Sequence, residues 1–396
     1  QEVLSESKSF TLQEELMKKT KTLAVAFAVI ALASASLYAA DYELKVADTQ
    51  KNAIADGLNA FAENILVAAP QAATQQNVWA DAYIGKLFPS LPPHFGVGIS
   101  LGGTKMDMTG LKDAATAFEK MINDFVPKDD KGLGLDNIKD SVAGSVDFGS
   151  IPDTFVMPTV SIDARIGGIF LPFDIGISAM MTNPSLFSVD LSDPNSLTSM
   201  SAPMTFNAFG FNGSVDYLTL GIDVRYCVLD GGVILPKVSV GAGYNITKGS
   251  FGISSDKSGV DANMNLSFNT QVIYVQAEVS KSIMIATVFG GARALVSNTS
   301  TSWAWNFKGT KSLGGNNLII SGEDSGSRNA DTTSSTYQDG KWDFSGVQPQ
   351  LYAGVGFNFL VFQTSLSVCA DIRSFMDRTN YEEALWSGAF SFHVKF

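Results

Sequence analysis

The sequence predicts an all-β fold, a transmembrane antiparallel up-and-down β-barrel with a helical segment before its first strand. Three observations support this prediction: an apolar composition, segments in which apolar and polar residues alternate, and connections that alternate between short and long. Hydrophobic residues make up 45% of the chain and charged residues only 17%, whereas soluble proteins carry about 25% charged residues. Beyond residue 40 there is no apolar run long enough to cross a membrane as a helix, which fits strands whose lipid-facing and lumen-facing side chains alternate.

Residues 17–40 have the pattern of a secretory signal peptide. Met17 is followed by closely spaced lysines, an apolar run over 23–32 and the small residues 33–35. The apolar run is shorter than the roughly 20 residues of a membrane-spanning helix. We therefore expect export with cleavage between residues 35 and 41, and we interpret residues 1–16 as upstream sequence outside the mature protein.

The last twelve residues carry the clearest strand pattern in the chain. Large apolar residues occupy one face of the predicted strand Leu385–Phe396, and small or polar residues occupy the other. The apolar face contains Trp386, Phe390, Phe392, Val394 and Phe396.

A terminal strand of this kind, ending on Phe396, resembles the C-terminal assembly signal of outer-membrane β-barrel proteins from Gram-negative bacteria and spirochaetes. The resemblance implies an outer-membrane location with lipid around the barrel. It also implies that Phe390, Phe392, Val394 and Phe396 are recognised by the barrel-assembly machinery.

The same alternation recurs upstream and gives ten strands in total. Two of the segments, 263–279 and 283–296, are strand-like but switch register, which suggests a bulge. The predicted strands are 94–103, 160–167, 173–181, 216–228, 236–245, 263–279, 283–296, 349–359, 361–373 and 385–396.

The connections between these strands alternate in length, as in bacterial barrels with short periplasmic turns and longer outer loops. Short connections are predicted near 169–172, 229–234, 280–282 and 359–361. Long ones are predicted over 104–157, 182–214, 246–262, 297–346 and 374–384. Ten strands with both ends periplasmic satisfy this pattern, but 104–157 or 297–346 could hide a further hairpin, with Ser302–Lys308 as a candidate, so twelve or fourteen strands stay open.

Acidic and basic residues are interleaved on the predicted inward faces. Buried charges must pair with one another or line water, so the set predicts either a filled, salt-bridged lumen or a narrow polar pathway. The lumen-lining candidates are Asp163, Arg165, Asp174, Asp223, Arg225, Lys237, Asp371, Arg373, His393 and Lys395.

Two segments have helical rather than strand periodicity. In 48–67 the residues Ile54, Leu58, Phe61 and Ile65 recur at helical spacing, and 109–125 in the first outer loop behaves likewise. We therefore divide the mature chain into an N-terminal helical segment, 41–93, which is a possible plug, and a barrel over 94–396. A barrel with these two helical segments loosely resembles the FadL-type transporters of hydrophobic compounds.

Composition and motifs restrict the function. The net charge of −12 disfavours nucleic acid as a partner, since phosphate binding needs clustered cations. Neither His94 nor His393 stands in a catalytic pattern, and we predict no enzyme, no cofactor and no metal site. The sequence favours an outer-membrane channel or uptake protein for a small solute, porin-like in this sense. Alternatives are a surface-exposed adhesin or structural barrel with a filled lumen, or a FadL-like transporter; the oligomeric state is left open.

Overall fold

The computed structural model describes residues 41–75, 78–84, 93–125, 151–168, 172–182, 203–208, 211–257, 260–313, 316–329, 347–376 and 384–396. The predicted signal peptide at 17–40 and the upstream residues 1–16 lie outside these ranges.

The chain forms two compact units. The described part of the first is residues 41–44, 310–313 and 316–320, where the Asn317 amide donates a hydrogen bond to Asp41 Oδ1 at 2.9 Å. The second comprises 45–309 and 321–396 and contains the barrel.

The elements follow one another in chain order. They are β1 (Tyr42–Lys45), α1 (Asp48–Thr74), β2 (His94–Asp107), α2 (Thr109–Phe125), β3 (Thr154–Gly167), β4 (Phe173–Met181), β5 (Met204–Ala208), β6 (Phe211–Asp230), β7 (Lys237–Lys257), β8 (Val260–Ile283), β9 (Ala286–Leu313), β10 (Asn316–Asn329), β11 (Gln348–Phe359), β12 (Phe362–Asp371), α3 (Ile372–Met376) and β13 (Trp386–Lys395).

Ten of these strands close into a ring, so the predicted barrel and its strand number are confirmed. The antiparallel order is β2-β3-β4-β6-β7-β8-β9-β11-β12-β13, and β13 pairs with β2 to close it. The seam reaches the end of the chain, because Phe95 and Phe396 exchange backbone hydrogen bonds of 2.8 and 3.1 Å. Outside the ring, β5 pairs with β6 and β10 lies beside β9.

The barrel presents an apolar belt to its surroundings. Along β6, Leu220, Ile222 and Val228 are each 53% exposed, whereas the alternating residues Asp223 and Arg225 are buried inside. The same inside-outside alternation continues around the ring. A closed strand ring with an apolar exterior and a polar interior is a transmembrane β-barrel.

Among the described residues, no helix is both long enough and apolar enough to cross a membrane.

The two ends of the barrel differ. At one end, which we call the short-turn rim, residues 231–236, 284–285 and 360–361 join consecutive strands. At the other end, the long-strand rim, β7, β8 and β9 reach lengths of 21, 24 and 28 residues. About ten residues suffice to cross a bilayer, so these three strands continue beyond the membrane.

Several predicted connections were wrong. The turn expected at 280–282 lies at 284–285, because β8 continues to Ile283. The expected loop 246–262 is the hairpin between β7 and β8, and the first part of the expected loop 297–346 belongs to β9 and β10. The candidate hairpin Ser302–Lys308 lies within β9. Strand-to-strand pairing extends these hairpins where turn-rich composition suggested loops.

The predicted bulge in β8 and β9 was also wrong, because the two strands pair without a register shift from Val260 to Ile283. The apparent change of register has another cause. Val272 and Leu295 point inward although they are apolar, and both pack against Ala73 of α1. In the described pairings, the barrel has its register shift between β6 and β7, at Cys227 and Leu229.

Candidate functional site in the barrel lumen

Helix α1 and residues 78–84 lie inside the barrel, and together we call residues 48–75 and 78–84 the lumen segment. In the first half of α1, Asn59 Oδ1 accepts a hydrogen bond of 2.9 Å from Trp303 Nε1, beyond the β9–β11 pairing and thus at the long-strand rim. At the other end of the lumen segment, the Tyr83 carbonyl accepts a hydrogen bond of 3.1 Å from Lys237 Nζ, beside the turn 231–236. The lumen segment therefore runs the length of the barrel.

The first layer of contacts, at the long-strand rim, is apolar. The ring of Phe61 meets that of Phe251 edge-on at 5.7 Å, and Leu58 faces Leu111 of α2 and Leu266 of β8. Helices α1 and α2 approach closely where both carry glycine: a Cβ at Gly57 would lie 2.8 Å from Ala114 Cα. The predicted helix over 109–125 is α2, and it packs over the first half of α1.

The second layer, in the middle of the barrel, is formed by hydrogen bonds. Gln71 Nε2 donates to the Ser387 hydroxyl at 3.1 Å and to the Cys369 carbonyl at 3.3 Å. Gln75 donates to the Gly388 carbonyl and accepts from the Thr104 and Thr159 hydroxyls. Asn245 Nδ2 donates to the Ala73 carbonyl at 2.7 Å.

Arg293 closes the C-terminal end of α1. Its Nη1 donates to the Thr74 carbonyl at 2.8 Å, and its guanidinium lies 4.8 Å from the ring centroid of Tyr274 and 5.2 Å from that of Tyr352. A cation at this position complements the negative end of the helix dipole and satisfies a terminal carbonyl. A Cβ at Gly291 would overlap the Tyr352 ring, so only glycine at this position leaves room for the ring.

The third layer, towards the short-turn rim, is a buried charge cluster: Arg165, Asp174, Asp223, Arg225 and Glu278. Arg165 bridges Asp174 at 2.6 Å and Asp223 at 2.7 Å. Arg225 contacts Asp174 through two nitrogens at 2.9 and 2.8 Å and lies 3.5 Å from Glu278. Burial of these charged groups is tolerable because each lies beside a group of opposite charge.

Residues 78–84 are anchored to this region. The Asp81 carbonyl accepts from Arg225 at 3.0 Å, and the Asp81 carboxylate binds Lys395 Nζ and, at 3.0 Å, Gln363 Nε2. Asp174 in turn accepts from the Ile84 amide at 3.2 Å.

Trp79 fills the adjacent space. Its ring lies 4.0 Å from that of His393 and 5.6 Å from the Arg165 guanidinium. A Cβ at Gly96 would lie 2.7 Å from the indole, so this wall position must stay small for the ring to fit.

The structure places the predicted inward residues as follows. Asp163, Arg165, Asp174, Asp223, Arg225, Asp371 and His393 are buried inside the barrel, and Lys237 and Lys395 are half-buried at the short-turn rim. Arg373 differs: β12 ends at Asp371, and Arg373 lies in α3, where Nη1 donates to the Val347 carbonyl at 3.2 Å. The four expected plug residues, Ile54, Leu58, Phe61 and Ile65, lie on α1 and are all buried.

The assembly-signal candidates lie on the outer surface of β13. Phe390 is 50%, Phe392 36% and Phe396 67% exposed, and Val394 is half-buried. Their recognition by an assembly machinery stays a prediction.

Sequence reasoning missed two groups of contact residues. Glu278 and Arg293 lie on the strands whose register the alternation did not resolve, because inward apolar neighbours disguised it. Gln71, Gln75 and Asp81 lie beyond the apolar periodicity of 48–67. The signal that could have indicated them is the cluster of polar residues in an otherwise Ala-rich stretch.

The two histidines form no catalytic arrangement with the described residues around them. His393 Nε2 lies 3.3 Å from Asp163 Oδ2 and under the Trp79 ring, and His94 pairs with Gly167 at the start of β2. Among the described residues there is no His, Cys, Asp and Glu cluster suited to a metal ion.

No protein-family model matches the chain, and no curated protein matches it in sequence. Among solved structures, the chain is similar to the translocator domain of the autotransporter NalP from Neisseria meningitidis, with 10% identity, a TM-score of 0.35, and coverage of 86% of this chain and 98% of that one. It is similar to a major outer membrane protein of Thermus thermophilus, with 9% identity, a TM-score of 0.30, and coverage of 77% and 100%. It is also similar to a FadL homologue of Pseudomonas aeruginosa, with 11% identity, a TM-score of 0.25, and coverage of 80% of this chain and 97% of that one.

Identities and TM-scores this low carry no argument about what the chain does. The fold class rests on the chain's own strand ring and apolar belt: the described residues form a ten-stranded transmembrane β-barrel with an N-terminal segment inside its lumen.

Proposed function

We propose that the protein is an outer-membrane channel whose lumen segment acts as a plug and moves to admit a small anionic solute. The observation that carries the proposal is the way the segment is held. In the middle of the barrel and towards the short-turn rim, hydrogen bonds and ion pairs fix it to the wall. Water can replace each of these bonds, so breaking them costs less than exposing an equal number of apolar contacts.

The wall groups that hold the segment also suggest the charge of the solute. Lys237, Arg293 and Lys395 bind carbonyl oxygens of the segment or its carboxylate at Asp81. When the segment leaves, these three cations face the lumen, whereas Asp174 and Asp223 keep their pairing with Arg165. Removal of the segment therefore takes away the Asp81 carboxylate and unpairs wall cations, and unpaired cations in a low-dielectric wall concentrate anions.

The orientation follows from the rims. Bacterial barrels place short turns in the periplasm and long connections outside, so we infer that the short-turn rim is periplasmic and that the hairpins of β7, β8 and β9 project outward. Export by the signal peptide predicted at 17–40 and outer-membrane insertion belong to the same proposal.

The test is planar-bilayer conductance with the segment locked or removed. A Cβ at Gly356 would lie 2.8 Å from Ala80 Cβ, and a disulfide needs about 3.8 Å between Cβ atoms. The double variant Ala80→Cys, Gly356→Cys can therefore lock residues 78–84 to β11 with a small shift. Both native cysteines are free and buried, and Cys227→Ala with Cys369→Ala gives a suitable background.

We expect the oxidised lock to be silent, reduction to restore channel openings, and a chain beginning at Pro93 to conduct continuously with preference for anions. Each single-cysteine variant is the matched control for the reductant, and heat-modifiable gel mobility shows which barrels have folded. Folded barrels that stay silent in the reduced lock and in the shortened chain would contradict the proposal.

A second function, surface interaction by a permanently closed barrel, is favoured by one observation. The hairpins of β7, β8 and β9 extend well beyond the apolar belt and carry aromatic side chains such as Trp303, Trp305 and Phe307. These three are buried, however, and Phe118 of α2 packs against Phe307 at 5.2 Å. The hairpins thus have a structural role over the lumen segment, and silence of the shortened chain is the result that would favour this alternative.

A further inference from the structure

The short-turn rim is unusually apolar at its tips. Val233 is 98%, Ile234 87%, Met284 94% and Leu360 101% exposed, and all four lie in turns at this one rim. Soluble surfaces rarely expose such clusters, which mark sites of contact with protein or membrane.

The sequence repeats this turn chemistry. Residues 231–236 read Gly-Gly-Val-Ile-Leu-Pro, and residues 167–172 read Gly-Gly-Ile-Phe-Leu-Pro. The same six-residue pattern thus follows two different strands, and in both copies the polar residues that normally mark a solvated turn are missing.

The apolar tips are continuous with the lipid-facing belt. Along β8 the outward residues Ile273, Val275, Val279 and Ile283 are 44–59% exposed. With Lys281 as the one charged residue between them, this series leads to Met284. From Ile273 to Ile283 the strand advances by ten residues. At about 3.3 Å per residue and a tilt of about 40°, this distance corresponds to a height of about 25 Å, which is the height of the apolar band of such barrels. A membrane that covers this band ends at the turns themselves.

Several backbone carbonyls of the turns are bonded by other protein groups, as a lipid environment requires. Lys281, on the outward face of β8, donates through Nζ to the carbonyls of Gly232, Val233 and Leu235 at 2.8, 2.7 and 3.1 Å.

The other two turns behave likewise. The Ile285 carbonyl accepts from the Asn358 amide at 2.7 Å, and the Val361 carbonyl accepts from the Lys395 amide at 2.8 Å. Turn carbonyls that are already bonded do not need water.

From these observations we propose that the three turns insert into the periplasmic leaflet of the membrane, with acyl chains around Val233, Ile234, Met284 and Leu360. The barrel end then lies within the lipid boundary and not in the periplasmic water. Continuity with the belt favours lipid over a hydrophobic protein partner or a second copy of the chain. The inference is independent of whether the lumen segment moves.

The test is the depth of fluorescent probes at the turns. Single variants Ile234→Cys, Met284→Cys and Leu360→Cys are made in the Cys227→Ala, Cys369→Ala background. Each is labelled with an environment-sensitive fluorophore and refolded into vesicles of phosphatidylcholine and phosphatidylglycerol. Quenching by acyl-chain nitroxide lipids is compared with quenching by iodide present on both sides of the bilayer.

Two matched positions on β8 calibrate the readout: Val275→Cys in the belt and the exposed Asp261→Cys beyond it. We expect the turn probes to follow Val275, with strong lipid quenching and weak iodide quenching. Turn probes that follow Asp261 would overturn the proposal. Probes protected from both quenchers would overturn it too, because they would place the tips against protein.

Discussion

At the scale of single residues, the lumen is organised by cations that bind backbone oxygens. Arg225, Lys237 and Arg293 each donate to a carbonyl of the lumen segment, and Lys395 binds the Asp81 carboxylate. Alternation along the strands predicted three of these four as inward residues, because a charge on the buried face of a strand is recognisable by its position. The carbonyl partners of Arg225, Lys237 and Arg293 could not be predicted, since backbone carbonyls carry no sequence signal.

Asp81 supplies the carboxylate by which the segment holds Lys395, and its replacement is the sharpest test at this scale. Asp81→Asn removes the charge that Lys395 and Gln363 share. We expect the anchoring of the lumen segment to weaken by about 2 kcal/mol, the typical cost of losing a hydrogen bond to a charged group. Single-channel recordings should then show more frequent openings. Asp261→Asn, on the exposed hairpin of β8, is the matched control; equal opening frequencies in the two variants would exclude this role for Asp81.

At the scale of elements, α1 combines two surfaces that the sequence indicates to different degrees. Apolar periodicity predicted its first half, where Ile54, Leu58 and Phe61 pack at the long-strand rim. The helix continues to Thr74, beyond the predicted end at 67, and its Ala-rich second half is bound largely by polar wall residues such as Ser387 and Asn245. Periodicity detects a helix with one apolar face, and a helix enclosed by a polar lumen has none.

The contact between α1 and α2 depends on glycine. A Cβ at Gly57 would overlap the Ala114 backbone, and one at Gly110 would lie 2.8 Å from the Ala60 carbonyl carbon. We expect Gly57→Leu to separate the two helices and to destabilise the folded protein by about 1–3 kcal/mol, measured as a lower urea midpoint in detergent.

The matched control is Gly232→Ala, since a Cβ at Gly232 meets no atom within 4 Å. An unchanged midpoint for Gly57→Leu would show that the helices adjust and that their close approach is not needed.

At the scale of the whole molecule, the path of the chain through the barrel is its most informative feature. The lumen segment starts at the long-strand rim, where the Val46 amide donates to the Ser321 carbonyl at 3.0 Å. It ends at the short-turn rim, where β2 begins. In the proposed orientation, residues just before the segment therefore reach the cell surface although the wall starts and ends in the periplasm.

This path predicts opposite accessibility for two exposed positions. In the cysteine-free background, Lys45→Cys should react with a membrane-impermeant maleimide on intact cells. Met284→Cys, at the short-turn rim, should stay unlabelled on intact cells, because the proposed orientation places it at the periplasmic side and the proposed insertion surrounds it with lipid. Labelling of Met284→Cys but not Lys45→Cys on intact cells would reverse the proposed orientation.

By itself, the sequence determined the fold class, the ten strands of the ring, the faces of most of them and the helix α2, because period-two alternation, turn spacing and helical periodicity are local properties of the chain. Only the tertiary structure decided what fills the lumen, which strands extend past the membrane, and why β8 and β9 carry apolar residues inside. These features depend on contacts between segments far apart in sequence, such as Ala73 with Leu295 and Asp81 with Lys395. The physical reason is that a barrel interior is neither lipid nor water, so what each inward residue needs is set by the residue that faces it.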